Sequence, residues 1–162
     1  MKLFVILLTT LCLNAQALNF NAIRLAYKHA ANDSTKVIEF SKLLSKVNKK
    51  DNAVLVAYKG ASITLLARQS KTIKEKKEGF IEGVSWLNHA IDQAPNNIEI
   101  RFVRIGIQEN TPKLLKYKGN IEEDKLFILK QFNYIKSASL KNHIKDYILQ
   151  SKVFTDEEKA SF

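Results

Sequence analysis

The chain is 162 residues long and has one cysteine, two prolines, five glycines and four arginines. A single cysteine, Cys12, excludes an internal disulfide framework and a cysteine-based zinc site. With only Pro95 and Pro112, and no Gly/Ser-rich stretch, a flexible linker or low-complexity tract is also excluded. Four arginines against 22 lysines argue against a dedicated nucleic-acid surface, because bidentate phosphate recognition favours the guanidinium group. Alternation of apolar and polar residues is weak throughout, so no strand is expected. Sequence signatures of catalysis are missing as well. There is no Gly-x-Ser-x-Gly and no phosphate-binding glycine loop, and His29, His89 and His143 form no metal-type pair.

What is present begins at the N-terminus. Lys2 is followed by an apolar run from Leu3 to Leu13, broken only by Thr9 and Thr10, and then by Ala15-Gln16-Ala17. A positive start, a short apolar run and a small-x-small site make a secretory signal peptide over residues 1–17. The run is shorter than the roughly 20 residues that span a bilayer. Leu11 stands before Cys12, where lipoprotein processing requires a small residue. The expected product, residues 18–162, is a single domain exported to the periplasm or the exterior, with no transmembrane span and no cysteine. Its 26 Lys and Arg against 16 Asp and Glu in the full chain give a basic exterior. That excess admits contact with anionic envelope components or other polyanions. Its lysine-rich character also matches an AT-rich coding sequence.

Helical spacing dominates the remainder. Phe20, Ile23, Ala26 and Tyr27 share a first face, and Asn32-Asp33-Ser34 breaks it. Val37, Phe40, Leu43, Leu44 and Val47 predict a second helix that Lys49-Lys50-Asp51 ends, with Asp51 capping a third from about Asn52 to Arg68. That third helix is apolar on more than one side and is expected to lie centrally. Ala57, Gly60 and Ala61 on it would let a neighbour approach closely. Phe80, Val84, Leu87, Ile91 and Ala94 give the clearest stripe, on a fourth helix. Gly79 and Gly83 within it cost about 1 kcal/mol each in helix propensity, which close packing would have to offset. Asn96 with Glu99, Thr111 with Pro112 and Asn120 with Glu123 read as later helix starts, and Thr155 with Glu158 either caps a final short turn or the tail frays. Ile98, Phe102 and Ile105, then Leu126, Leu129 and Phe132, then Leu140, Ile144, Tyr147 and Ile148 supply the remaining apolar faces. Seven or eight helices joined by short turns result.

Several charged groups invite a chemical reading. Glu75/Glu78, Glu78/Glu82 and Glu122/Glu123 could act as acid–base pairs, but Lys71, Lys74, Lys76 and Lys77 surround the first two. Glu122 and Glu123 fall in a first helical turn, where the macrodipole favours anions. Arg101 and Arg104 are threaded among Ile98, Ile100, Phe102, Val103, Ile105 and Ile107. They form either a salt-bridge network with Glu82 or Asp124, the favoured reading, or an anion-binding groove. Trp86 lies opposite part of the fourth-helix stripe, facing a second helix or a groove. Trp86, His89, Arg101 and Arg104 are therefore the expected groove residues. No residue is assigned to catalysis, cofactor binding or metal ligation.

Ala57-Tyr58-Lys59-Gly60-Ala61 resembles the first helix of a tetratricopeptide repeat, and Leu87, Ala90 and Ala94-Pro95-Asn96-Asn97 resemble the end of its second. The run from Pro95 to Phe102, with Glu99-Ile100-Arg101-Phe102 after Pro-Asn-Asn, is similar to small secreted helical proteins of Gram-negative bacteria. These resemblances imply an all-α domain of antiparallel helical hairpins, arranged as a tetratricopeptide-like right-handed array or an irregular bundle. The expected role is a non-catalytic adaptor that binds a protein or peptide between helices. A basic binder of anionic surfaces and an unrecognised hydrolase are the alternatives.

Overall fold

The computed structural model describes residues 19–162, so the segment 1–17 expected to be a signal peptide, with Cys12, lies outside the described residues. The described residues form eight α-helices and three short 3-10 turns, with no strand. No helix among them is long and apolar enough to cross a membrane.

Helix α1 (Phe20–Asn32) starts where the Asn19 side chain accepts from the Asn21 and Ala22 amides, and it buries Ile23, Tyr27 and Ala30 along one stripe. Asp33 caps a 3-10 turn (Ser34–Lys36) that runs directly into α2 (Val37–Leu43). The expected second helix is therefore cut short. Leu44 and Val47 still reach the core, but from the turn that follows, and Leu43 faces solvent. Helix α3 (Ala53–Gln69) is capped by Asn52, not Asp51. Asp51 instead closes the preceding turn by accepting from the Asn48 amide. Buried residues surround α3, from Val54 through Tyr58 and Ala61 to Leu65 and Ala67, which gives it the central position that its composition implies.

Helix α4 (Ile73–Gln93) begins in a full capping box made by Thr72 and Glu75. It returns antiparallel to α3 along a seam of small residues. A Cβ on Gly60 would stand 2.7 Å from the Gly83 carbonyl oxygen, one on Gly83 would stand 2.5 Å from Thr64 Cγ2, and one on Gly79 would stand 2.8 Å from Ala67 Cβ. The two backbones touch, which explains the glycines at two positions on one face of α4. Leu87 and Ala90 continue the seam as fully buried contacts.

Helix α5 (Ile98–Glu109) is the second central element. Asn97 caps it, accepting from the Glu99 and Ile100 amides, where Asn96 was expected. The chain then turns at Lys116, which adopts a left-handed conformation (φ 50°), after a 3-10 turn over Lys113–Leu115. Thr111 does not cap that turn, since its hydroxyl donates back to the Ile107 carbonyl. Helices α6 (Ile121–Gln131), α7 (Ala138–Gln150) and the four-residue α8 (Asp156–Lys159) complete the chain. The last is held by the Thr155–Glu158 capping box. Tyr27, Phe40, Tyr58 and Phe102 meet at the centre in tilted and edge-to-face pairs, with ring centroids 5.3 to 6.4 Å apart.

The seam makes a clear prediction. Gly83→Ala places a methyl group against the Gly60 carbonyl, a backbone atom that cannot swing away, and should destabilise the protein by about 1–3 kcal/mol in urea unfolding. Gly119→Ala meets nothing within 4 Å and should leave the midpoint unchanged or slightly raised.

Candidate binding cleft

Four buried charges on or against α5 decide what the interior can do. Arg104 donates to both oxygens of Asp124, at 2.6 Å from Nε and 2.6 Å from Nη2, in a fork that matches the carboxylate. Arg101 reaches the same carboxylate at 3.0 Å, Glu123 at 2.6 Å and the Pro95 carbonyl at 2.7 Å. Its guanidinium also stacks over the Phe127 ring. Asp124 is completely buried. Burial pulls the Arg104 pKa down, but the hydrogen bond and charge of Asp124 outweigh it and leave the pKa raised. The hydrogen bond from Arg101 holds the Glu123 carboxyl below the usual range. The arginine pair therefore ties α5 to α6 through Asp124 and Glu123. Glu82 is exposed on α4 and takes no part in these bonds.

Glu99 does not complete a capping box. It turns inward and receives a fork from Arg24, with both bonds at 2.7 Å, and the Tyr58 hydroxyl donates to it at 2.9 Å. The same guanidinium reaches Ser137 and Ser139, so this one cluster joins α1, α3 and α5 to the start of α7. The hydrogen bond with Glu99 raises the Arg24 pKa despite burial. At the far end of α5, Glu109 accepts from the Tyr147 hydroxyl, the Ser151 hydroxyl and the Lys152 amide, clamping the end of α7.

The expected groove residues do not share a cavity. Trp86 and His89 are half-buried on α4 and meet the loop before α3. The Lys49 ammonium lies 5.5 Å from the Trp86 ring centroid, and the Lys49 carbonyl is 3.0 Å from His89 Nε2. Arg101 and Arg104 are buried between α5 and α6 and are already partnered. None of the four lines the principal cleft, and the reason is chemical. A desolvated guanidinium must be neutralised inside the fold, so it is spent on Asp124.

That cleft lies elsewhere. It has a volume of about 300 Å³ and is enclosed by α1, α3, α4, α5, α7 and the 3-10 turn after Pro112. Tyr27, Leu65, Phe80, Phe102, Ile107 and Leu115 supply its apolar wall. Arg68 and Lys76 are exposed at its rim, and Lys28 and Asp146 pair across one side at 2.6 Å. Gly106, in the middle of α5, also lines it. A Cβ there would approach only the Tyr27 hydroxyl, at 3.1 Å. Gly106 therefore serves no helix contact of the kind that Gly60 and Gly83 serve. The Tyr27 hydroxyl has no hydrogen-bond partner among the described residues, nor has the His143 imidazole, whose ring stacks edge-on to Phe102 at 4.9 Å. Burial, assisted by the nearby Lys28 charge, lowers the His143 pKa to about 4 against the opposing pull of Asp146, so the ring is neutral at pH 7.

Four of the five carboxylates in those pairs have structural partners, and Glu82 is exposed. Glu75 closes the α4 capping box, Glu78 lies 4.0 Å from Lys74, Glu122 pairs with Lys125 and Glu123 with Arg101. The three histidines stand on α1, α4 and α7. Among the described residues no group of three His, Cys, Asp or Glu side chains could hold a metal ion.

Asp124→Asn leaves two buried guanidinium groups facing an amide, and should cost about 3–5 kcal/mol in urea unfolding. Arg101→Ala should lower the melting temperature by several degrees, and an unchanged value would remove its structural role. The pH dependence of His143 has a definite sign. Its folded pKa lies below the unfolded value near 6.5, so the unfolded chain binds more protons between about pH 6.5 and 4, and stability falls as pH falls through that window. The urea midpoint of the native protein, taken relative to His143→Gln, should therefore drop between pH 7 and pH 5.

No protein-family model matches the chain, and neither a curated protein nor a solved structure matches it, so the cleft's own chemistry is what bears on its function.

Proposed function

We propose that the protein is a non-catalytic binding protein that holds a segment of another protein or a peptide in the cleft between α1, α3, α4, α5 and α7. The observation that carries this reading is the cleft itself. It is about 300 Å³ in volume and apolar-walled, yet it contains polar groups that the fold leaves unused. Pockets that bind ligands combine an apolar lining with a few convergent polar groups in this way.

Within this reading the α3–α4 hairpin acts as a tetratricopeptide-like unit, supported by the small-residue seam at Gly60 and Gly83. It differs from such repeats in carrying Trp86 on its second helix. Export to the periplasm or exterior belongs to the same proposal and is supported by the pattern of residues 1–17. A second reading, contact with an anionic surface, is favoured by one observation. The first turns of α4 expose Lys74, Lys76 and Lys77, and of these three only Lys74 has an ion-pair partner among the described residues.

Ala31 is exposed at the lip of the cleft, so Ala31→Trp should block it without disturbing the core. Panning a random peptide display library against the native protein should enrich peptides that bind it and fail to bind Ala31→Trp. Enriched peptides that ignore this variant would contradict the proposal. Retention on anionic vesicles that salt abolishes and Ala31→Trp leaves intact would favour the second reading.

A further inference from the structure

Resting on the reading above, we infer that the cleft is built for an acidic segment anchored by a tyrosine or tryptophan, whose polar tip meets the Tyr27 hydroxyl in the space left by Gly106. Three independent observations converge on this occupant.

The first is the hydrogen-bond economy of the interior. The part-buried Arg24 and the buried Tyr58, Glu99, Arg101, Arg104 and Asp124 are all paired, and among the described residues a single buried side-chain oxygen, Gln108 Oε1, has no partner. Against that background Tyr27 stands out. Its ring is buried among Phe40, Tyr58 and Phe102, but its hydroxyl makes no bond among the described residues and borders the cleft. His143 lines the same cavity with its imidazole equally unbonded. A purely apolar anchor would displace water from both groups and give nothing back, which disfavours Leu or Phe. An aromatic residue with an O–H or N–H at its tip fills the apolar walls and satisfies the hydroxyl.

The second is Gly106. It lies within α5 between Ile105 and Ile107, and the only atom that its missing side chain spares is the Tyr27 oxygen. A helix-interior glycine lowers stability relative to alanine, and here no close helix contact offsets the loss. Its effect is to leave the hydroxyl reachable.

The third is the charge and apolar surface around the mouth. Arg68 and Lys76 stand exposed at the rim with no carboxylate in ion-pair contact among the described residues, while Lys28 and Asp146 cancel each other. The net positive rim suits carboxylates that flank an anchor. Ile73, one turn before Lys76 on α4, is 86% exposed, and Leu114, beside the lining residue Leu115, is 89% exposed. These two exposed apolar residues are near neighbours in sequence of the lining residues Lys76 and Leu115.

The peptides enriched in the panning, made synthetically, test this. They should centre on Tyr or Trp with Asp or Glu on both sides. Tyr27→Phe and Gly106→Ala should each weaken them about tenfold, with the melting temperature unchanged or raised. Arg68→Gln combined with Lys76→Gln should weaken them roughly fivefold and remove most of the salt dependence. Cleft-dependent peptides that lack acidic residues, or that ignore Tyr27→Phe and Gly106→Ala, would overturn the inference while leaving the binding reading intact. If no peptide depends on the cleft, the binding reading itself fails. Stabilisation by decanoate in that case would mark the cleft as a site for small apolar acids, and would overturn the inference as well.

Discussion

The need to neutralise charge inside the protein sets the position of α5, and α5 positions most of what surrounds it. Glu99, Arg101 and Arg104 enter a region with almost no water, where an unpaired ion is far costlier than a missing hydrophobic contact. Their partners come from three other elements: Arg24 of α1 and Tyr58 of α3 meet Glu99, and Asp124 and Glu123 of α6 meet the two arginines. Apolar packing supplies cohesion, but it is tolerant of sliding. Forked guanidinium–carboxylate bonds are not, because their geometry is fixed to fractions of an ångström. The helices are thereby held in one register about α5, and Glu109 fixes the end of α7 in the same way.

The cleft follows from this arrangement. The first two turns of α5 are closed in by charged partners from α1 and α6, and its last turns are not. Gly106 and Ile107 face a space that α1, α4 and α7 border without filling. The seam between α3 and α4 has the opposite character, since glycine there brings backbones together instead of holding a gap open. One residue type thus does two different jobs, and only the surroundings distinguish them.

Much of the helical plan was legible in the sequence. The stripe on α4, the small residues of α3, the Thr155–Glu158 box and the number of helices all follow from spacing and capping chemistry. Local competition hid the rest. Asn52 and Asn97 took the caps expected of Asp51 and Asn96, because neighbouring side chains of equal capping power differ only in backbone position. Glu99 read as a capping residue and was drawn instead to an arginine 75 positions away, a contact that no local pattern encodes. The spacing of the arginine pair leaves Glu82 and Asp124 open as partners, and the structure pairs it with Asp124; buried there, it does not line the cleft, and neither do Trp86 and His89. The cleft was invisible because its wall comes from five helices. Gly106, a lone glycine between Ile105 and Ile107, is the one available signal.

A double-mutant cycle on Arg24 and Glu99, followed by urea unfolding, tests the dependence on internal charge pairing most directly. The account predicts that Arg24→Met and Glu99→Gln couple by about 1–3 kcal/mol, since each removes the reason for burying the other. Additive effects of the two substitutions would contradict it, and would leave apolar packing alone to hold α5 in place.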